Sequence, residues 1–235
     1  MIRINKIGFI IVGHQSEKYS PNGNNFTRNC IESIISLNLS NVHISYIDNQ
    51  STDRMYPQNE YINKCEFSYK YIEDQFKNNG ISGAWEDGTK LTIENNCDLI
   101  INTNYDTEFN SSIYNFINDI ENDIDMDITV YGPLTNEPGF QLHQFSNEFD
   151  VTKKDEKTFK YLPESAIDAL NGFCFAYTNK FSDNFSVDNR LFGSQHFDKS
   201  EFIQRKWKQL GAKIKISNNF FVFHDKQGSW RNLYK

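Results

Sequence analysis

Three short apolar runs, each rich in β-branched residues and each followed by polar residues, constrain the fold of this chain more than any other feature. They occupy residues 7–12, 43–47 and 99–101, the last within the stretch 98–106 that is predicted as the strand and its polar end. Their length and composition are typical of buried strands. Residues 26–37 carry apolar side chains at helical spacing, with Asn24 or Asn25 available as the helix cap. Strand, helix and strand in this order predict a right-handed βαβ unit, and therefore an α/β fold with a mostly parallel sheet flanked by helices.

The rest of the pattern extends this unit without an internal repeat or an evident domain linker. Strands are predicted at residues 64–72, 128–131, 172–177, 213–216 and 219–223, the first of them as an edge strand, and helices at 81–95, 111–121 and 198–210. Residues 134–163 lose this periodicity, which predicts a long functional loop with one short helix. We therefore expect a single domain over residues 1–235, made of two abutting halves at 1–106 and 107–235.

Composition and charge exclude several classes of protein. The formal charge is -7 and no run of Lys or Arg is longer than two residues, whereas nucleic-acid binders normally carry a basic patch. The four cysteines are scattered without zinc-type or disulfide-type spacing, so reduced thiols in a cytoplasmic compartment are expected. No apolar run approaches the roughly 20 residues that a membrane helix needs. These features predict a soluble cytoplasmic protein without a nucleic-acid partner.

Polar or turn-forming residues follow all three apolar runs at the point where each strand ends. They are Gly13 and His14 after the first run, Asp48 to Asp53 after the second, and Asn104 to Asp106 after the third. Ligands in open α/β sheets bind outside the carboxyl ends of the strands, so these residues are expected to face one crevice that holds a metal ion or a phosphate. For the third run alone, a strand followed by an Asn/Asp turn is the alternative.

Several motifs resemble, in their order and spacing, those of inverting GT-A glycosyltransferases of the family 2 type. YIDNQSTD is similar to the signature that closes the second strand in that family, and GAWEDG resembles its A-x-N-x-G segment, with Ala84, Glu86 and Gly88. INTNYDT stands where the family carries its D-x-D or N-x-D metal motif. The resemblance continues through FTRNCIESI, GPLTN, NGFCF and VFHDKQGSW, so it covers most of the chain.

The resemblance implies a GT-A fold and transfer of a sugar, with inversion, from a UDP-linked donor to a hydroxyl of a glycan or another acceptor. A lipid-linked acceptor would make the protein peripheral to a membrane. The resemblance also implies that residues 1–106 bind the nucleotide sugar and residues 107–235 bind the acceptor.

Donor-site residues follow from the same resemblance. Asp106 is placed as the first ligand of a Mn2+ or Mg2+ ion, which would neutralise the donor diphosphate, and Asn104 stands where a second carboxylate is usual. His224 matches a histidine that completes the metal site in some relatives; a rim histidine that caps the strand is the alternative. Nucleotide-sugar contacts are implied for His14, Asp48, Asn49, Trp85, Asn104 and Tyr105. A core position for Trp85 and a loop role for His14 are the alternatives.

The general base has two candidates. Inversion requires a group that takes the acceptor proton, and the family uses the Asp of an E-D motif before a helix that carries an Arg and a Gly. Arg205 and Gly211 match that helix, but no E-D pair occurs, and Asp198 or His196 is left for the role. A carboxylate is the usual base in such sites, which favours Asp198, although a capping box with Glu201 explains the same residue without catalysis.

Two other functions are compatible with the same pattern. A sugar-phosphate nucleotidyltransferase uses a similar sheet, but it normally has a Gly-rich, basic phosphate loop after the first strand, and residues 13–25 offer only Lys18. A binding protein that kept the fold and lost catalysis is favoured by Asn104 and by the missing E-D pair. Asp53 is explained either as a further site residue or as a turn or helix cap.

Overall fold

A computed structural model describes residues 3–17, 20–74, 77–78, 80–138, 141–147, 150, 158–161, 169–185 and 200–225. Its strands are β1 (Ile7–Gly13), β2 (Val42–Asn49), β3 (Glu66–Ile72), β4 (Leu99–Asn104), β5 (Thr107–Glu108), β6 (Thr129–Leu134), β7 (Phe159–Tyr161), β8 (Cys174–Thr178), β9 (Lys213–Phe221) and β10 (Phe223–His224). Its α-helices are α1 (Gly23–Ser36), α2 (Pro57–Tyr61), α3 (Gly80–Glu94), α4 (Ser112–Glu121), α5 (Asn179–Asn184) and α6 (Ser200–Gln209), and short 3-10 helices cover Met126–Ile128 and Leu142–Gln144.

One eight-stranded mixed sheet, in the order β3-β2-β1-β4-β8-β6-β9-β7, forms the centre of the molecule. β1 pairs in parallel with β2 and β4, β2 pairs in parallel with β3, and β6 pairs in parallel with β9. β8 and β7 run antiparallel to their neighbours, and β5 and β10 form a separate antiparallel pair. The predicted α/β class with a mixed, mostly parallel sheet is therefore confirmed, including the edge position of β3.

The sheet is covered by helices on both faces because its central strands are apolar on both sides. Along β1, Phe9 and Ile11 belong to a core layer shared with α1 and α4, whereas Ile10 and Val12 belong to a second layer shared with α3 and α6. Gly88 allows α3 to approach β1 closely, since a Cβ atom at this position would lie 2.2 Å from Cγ2 of Ile10. This burial on both faces explains the unbroken apolar runs of the sequence.

Several predicted boundaries were wrong for identifiable reasons. α1 begins at Gly23, three residues early, because the side chain of Gln15 reaches over and its Oε1 accepts a hydrogen bond from Asn24 N at 2.8 Å. Asn24 and Asn25 thus lie inside the helix, where neither caps it. The two strands predicted at 213–216 and 219–223 form one strand to Phe221, since the buried Asn219 amide bonds Asp119 Oδ2 at 2.7 Å. A polar residue that is satisfied in this way does not interrupt a strand.

Other segments differ more modestly from expectation. The strand predicted at 128–131 continues to Leu134, and the unpredicted helix α5 is capped by Thr178, whose side chain accepts a hydrogen bond from Phe181 N. In the loop predicted at 134–163, the described parts contain one short 3-10 helix and β7, and the rest lies outside the described residues. None of the described helices combines the length and the apolar character needed to cross a bilayer.

Candidate functional site

The ends of β1, β2 and β4 meet at one edge of the sheet. In the strand register, Val12 of β1 lies opposite Asn104 of β4, and Gly13 of β1 lies opposite Asp48 of β2. The residues that follow the three strands therefore lie at the same edge of the sheet, which is where ligands of open α/β sheets bind.

Asp48 is buried at the end of β2. Its side chain is fully buried, Oδ1 accepts a hydrogen bond from Ser51 N at 2.9 Å, and Oδ2 accepts one from the Tyr69 hydroxyl at 3.4 Å. Burial raises the pKa of this carboxyl above its ordinary value of 3.8, and the bonds from Ser51 and Tyr69 only partly oppose that effect. Loss of the Asp48 proton therefore costs more free energy in the folded protein than in the unfolded chain.

Asp48→Asn is accordingly expected to be more stable than the wild type at neutral pH. Because the pKa of Asp48 is raised by folding, its protonated form stabilises the fold fully below about pH 3.8, and this stability is lost as the pH rises through the folded pKa. Asn does not titrate, so the variant avoids that loss. Urea unfolding at pH 7 measures the difference, with Asp53→Asn as the control, since it makes the same charge change on an exposed side chain. A less stable Asp48→Asn at pH 7 would contradict the argument.

His14 and Asn49 connect the exit of β1 to the exit of β2. His14 Nδ1 lies 2.9 Å from the Asn49 carbonyl oxygen, and because a carbonyl only accepts, Nδ1 carries the proton. Asn49 is 7% exposed, and its Oδ1 has no hydrogen-bond partner among the described residues. An amide oxygen buried without a partner costs free energy, so this position favours a ligand that donates a hydrogen bond.

The turn after β4 is held rigidly by its main chain. Asn104 N donates to the Phe173 carbonyl at 2.8 Å, and Tyr105 N donates to the Val12 carbonyl at 3.2 Å. Thr107 Oγ1 donates to the Asn104 carbonyl at 2.9 Å. Within the described part of the chain, no hydrogen bond reaches Asn104 Oδ1 or Asp106 Oδ1, although both atoms are buried. The turn thus presents two side-chain oxygens whose natural partners are a cation or a donor group.

His224 lies directly beside Asp106. The pairing of β10 with β5 sets His224 opposite Thr107, and Asp225 N donates to the Asp106 carbonyl at 2.9 Å. His224 Nε2 lies 3.6 Å from Asp106 Oδ1, a separation too long for a good hydrogen bond. The His224 ring is stacked on Phe173 with centroids 4.6 Å apart.

The protonation pattern of the His224 ring follows from its other nitrogen. Nδ1 lies 3.0 Å from the Glu137 carbonyl oxygen, so Nδ1 carries a proton, and Nε2 is the ring nitrogen on the side of Asp106. Two electron-pair donors that face each other in this way fit a shared cation. Three His, Cys, Asp or Glu side chains do not come together anywhere in the described ranges, so protein ligands would hold such an ion only in part.

Other predicted site residues lie elsewhere. Trp85 is 3% exposed, and its ring packs edge-on against Phe175 at 5.2 Å, so the core alternative explains it and its predicted cover of the nucleotide is not supported. Tyr105 is 6% exposed, and its hydroxyl is 2.7 Å from Ser20 Oγ. Its predicted contact with the nucleotide sugar would therefore not involve an exposed ring. Asp198 and His196, the two candidate bases, lie outside the described residues.

A separate open cavity of about 540 Å³ lies at the opposite ends of the strands. It is lined by His43 at the start of β2, Glu66 at the start of β3 and Asn95 after α3. The cavity is therefore remote from the crevice at the carboxyl ends of the strands, and it is not part of the candidate site.

Sequence comparison finds neither a matching family model nor a matching curated protein. Comparison of structures finds similar folds. GalNAc-T7, in a crystal structure with UDP, GalNAc and Mn2+, matches with a TM-score of 0.67 and 17% identity over 94% of this chain and 44% of its own. S. aureus TarS 1-349 in complex with UDP matches with a TM-score of 0.59 and 14% identity over 97% of this chain and 62% of its own.

A further structure, S. aureus TarS 1-349 in complex with UDP-GlcNAc, gives a TM-score of 0.60 and 13% identity over 95% of this chain and 60% of its own. The chain thus spans less than two thirds of the length of each of these proteins. At such low identity the likeness is one of architecture. The chain has the GT-A glycosyltransferase fold.

Proposed function

We propose that this chain is a glycosyltransferase that takes a sugar from a UDP-linked donor and transfers it, with divalent-metal assistance and inversion, to a hydroxyl of a glycan or another acceptor. The observation that carries the proposal is the pair formed by Asp106 Oδ1 and His224 Nε2, which face each other at 3.6 Å at the carboxyl edge of the sheet. The GT-A structures that resemble the chain contain UDP, UDP-GlcNAc or UDP with Mn2+, which supports this assignment of donor.

The metal site would be shared between protein and donor. Asp106 and His224 supply one carboxylate oxygen and one imidazole nitrogen, a ligand set that suits Mn2+ and, through the carboxylate, Mg2+. Asn104, with its Oδ1 unbonded among the described residues, offers a neutral oxygen in the same turn. A bound divalent ion supplies charge that stabilises the departing diphosphate.

The nucleoside would be bound by residues at the ends of β1 and β2. Asn49 Oδ1 is an acceptor for a donor group of the base or ribose, and His14 is held against the Asn49 main chain at the same edge. Asp48 supports that edge from within, because its carboxylate orders Ser51 and Tyr69. Acceptor activation falls to Asp198 or His196, as the sequence indicates.

The two halves of the chain would share this site rather than divide it. Residues 1–106 supply the nucleotide side, including Asp106, and residues 107–235 supply the acceptor side. His224 nevertheless comes from the second half and joins Asp106 through the β5–β10 pair.

UDP with Mn2+ is expected to raise the melting temperature of the protein. A ligand at 100 times its Kd stabilises the folded state by about 2.7 kcal/mol, which for a chain of this size corresponds to roughly 5–10 °C. UDP in EDTA should give a smaller shift, because the ion that links the diphosphate to the protein ligands is then absent. Thermal-shift titration with UDP, other nucleoside diphosphates and UTP, each with and without Mn2+, measures this.

The outcomes separate the competing functions. If no nucleoside diphosphate stabilises the protein, the transferase proposal fails. A larger shift with UTP and a sugar phosphate than with UDP favours nucleotidyl transfer. Stabilisation by UDP without hydrolysis or transfer in a screen of common UDP-sugars favours a binding protein that has lost catalysis.

A further inference from the structure

The side chain of Asn136 holds the main chain of His224 by two hydrogen bonds. Asn136 Oδ1 accepts from His224 N at 2.8 Å, and Asn136 Nδ2 donates to the His224 carbonyl at 3.1 Å. The main-chain N–H and carbonyl of His224 are thus both bonded to the side-chain amide of Asn136. This is the pattern by which a neighbouring strand would pair with His224.

β10 needs such a partner because it is only two residues long. One edge of β10 pairs with β5, where His224 lies opposite Thr107. On its other side the Asn136 amide takes the place of a third strand. Among the described contacts, the β5 pairing and the bond from Asp225 N to the Asp106 carbonyl also hold this segment beside Asp106, but neither bonds the free edge of His224 as Asn136 does.

The orientation of the Asn136 amide is itself determined. Thr135 Oγ1 also donates to Asn136 Oδ1, at 3.3 Å, and Thr135 is fully buried. A flipped amide would set its NH2 group against the His224 N–H, so only one orientation satisfies all three bonds. The following residue, Glu137, supplies the carbonyl at 3.0 Å from His224 Nδ1. One short segment after β6 therefore holds both the main chain and the ring of His224.

We infer that Asn136 is a positioning residue for the metal site: it holds His224 where Nε2 and Asp106 Oδ1, 3.6 Å apart, can bind one ion. The inference rests on the proposed function, in which His224 and Asp106 hold the divalent ion. Outer partners of metal ligands orient the ligand, and their loss typically lowers metal affinity by roughly 10–100-fold. Asn136 touches neither the ion nor the donor in this scheme, and it acts only through His224.

Mn2+ binding in the presence of saturating UDP tests the inference, with free Mn2+ measured by its EPR signal. Asn136→Ala is expected to lower Mn2+ affinity by roughly 10–100-fold, with UDP binding in EDTA unchanged. Asn110→Ala is the matched control, since Asn110 Nδ2 donates to the Phe221 carbonyl and Asn110 Oδ1 accepts from Ser112 N, without contact to His224. It should leave Mn2+ affinity unchanged.

A double-mutant comparison distinguishes positioning from a general loss of structure. In the His224→Ala background, Asn136→Ala should cause no further loss of Mn2+ affinity, because its effect passes through the ring that has been removed. Asn136→Asp keeps the size of the side chain but sets an oxygen against the His224 carbonyl. It is expected to weaken Mn2+ binding despite its added negative charge, and it serves as the second variant if Asn136→Ala does not fold.

The failures are distinguishable. A wild-type protein that binds neither UDP nor Mn2+ overturns the proposed function. A wild-type protein that binds both, together with Asn136 variants that match Asn110→Ala in Mn2+ affinity, overturns the positioning role and leaves the proposed function standing. An additive loss in the His224→Ala background also overturns it.

Discussion

Asp106→Asn is expected to lower metal-dependent sugar transfer by roughly 10²–10³-fold, a loss typical of removing one electrostatic contact to the charge that develops in the transition state. The proposed ion depends on this residue because the usual second carboxylate is Asn104, and the remaining protein ligand is a neutral imidazole. The fold should be unaffected. Asp106 Oδ1 receives no hydrogen bond from the described residues, so the substitution leaves no protein donor without its acceptor.

Glu108→Gln is the matched control for this variant. Glu108 lies two residues further along, on the exposed side of β5, and the substitution makes the same change in charge. Transfer from a UDP-sugar is measured for both variants at a fixed Mn2+ concentration, alongside their melting temperatures. Equal activity of Asp106→Asn and Glu108→Gln would remove Asp106 from the metal site, whereas a loss in both would show that net charge near β5 governs the rate.

Phe116→Ala is expected to lower the free energy of unfolding by about 3–5 kcal/mol, a large fraction of the stability of an ordinary domain. Phe116 is fully buried on α4, and its ring stacks on Phe220 of β9 at 4.2 Å with planes 11° apart. It also meets Tyr131 of β6 edge-on at 6.0 Å. The contact attaches α4 to two strands of the second half of the sheet, so truncation leaves a cavity between three elements.

Asn118→Ala serves as its control, because Asn118 lies on the exposed face of the same helix. Urea unfolding of both variants at neutral pH gives the comparison, and a loss below about 1 kcal/mol for Phe116→Ala would show that α4 can repack over the gap.

Most of the fold could be predicted from local sequence patterns. Side chains that alternate between two buried core layers produce unbroken apolar runs, as in β1, and helices that cover one face show a helical period, as in α4. Errors arose where a side chain from a distant part of the chain satisfied a polar group. The side-chain amide of Asn219 donates a hydrogen bond to Asp119, which lets β9 continue through a polar stretch. At the start of α1, Gln15 Oε1 accepts a hydrogen bond from the main-chain N–H of Asn24 in place of a local cap.

The candidate site divides in the same way. The sequence by itself determined that polar residues follow three adjacent parallel strands, because strand direction and register bring their carboxyl ends to one edge. It could not determine that Trp85 and Tyr105 face the core, since an aromatic side chain at a rim has the same local pattern in either role. The family resemblance placed His224 with Asp106 but left a rim histidine that caps the strand as the alternative, and only the tertiary structure decided that His224 lies beside Asp106 and that Asn136 holds it there. The strands that join them, β5 and β10, have two residues each, too few for any periodicity, and their pairing is a contact between distant parts of the chain.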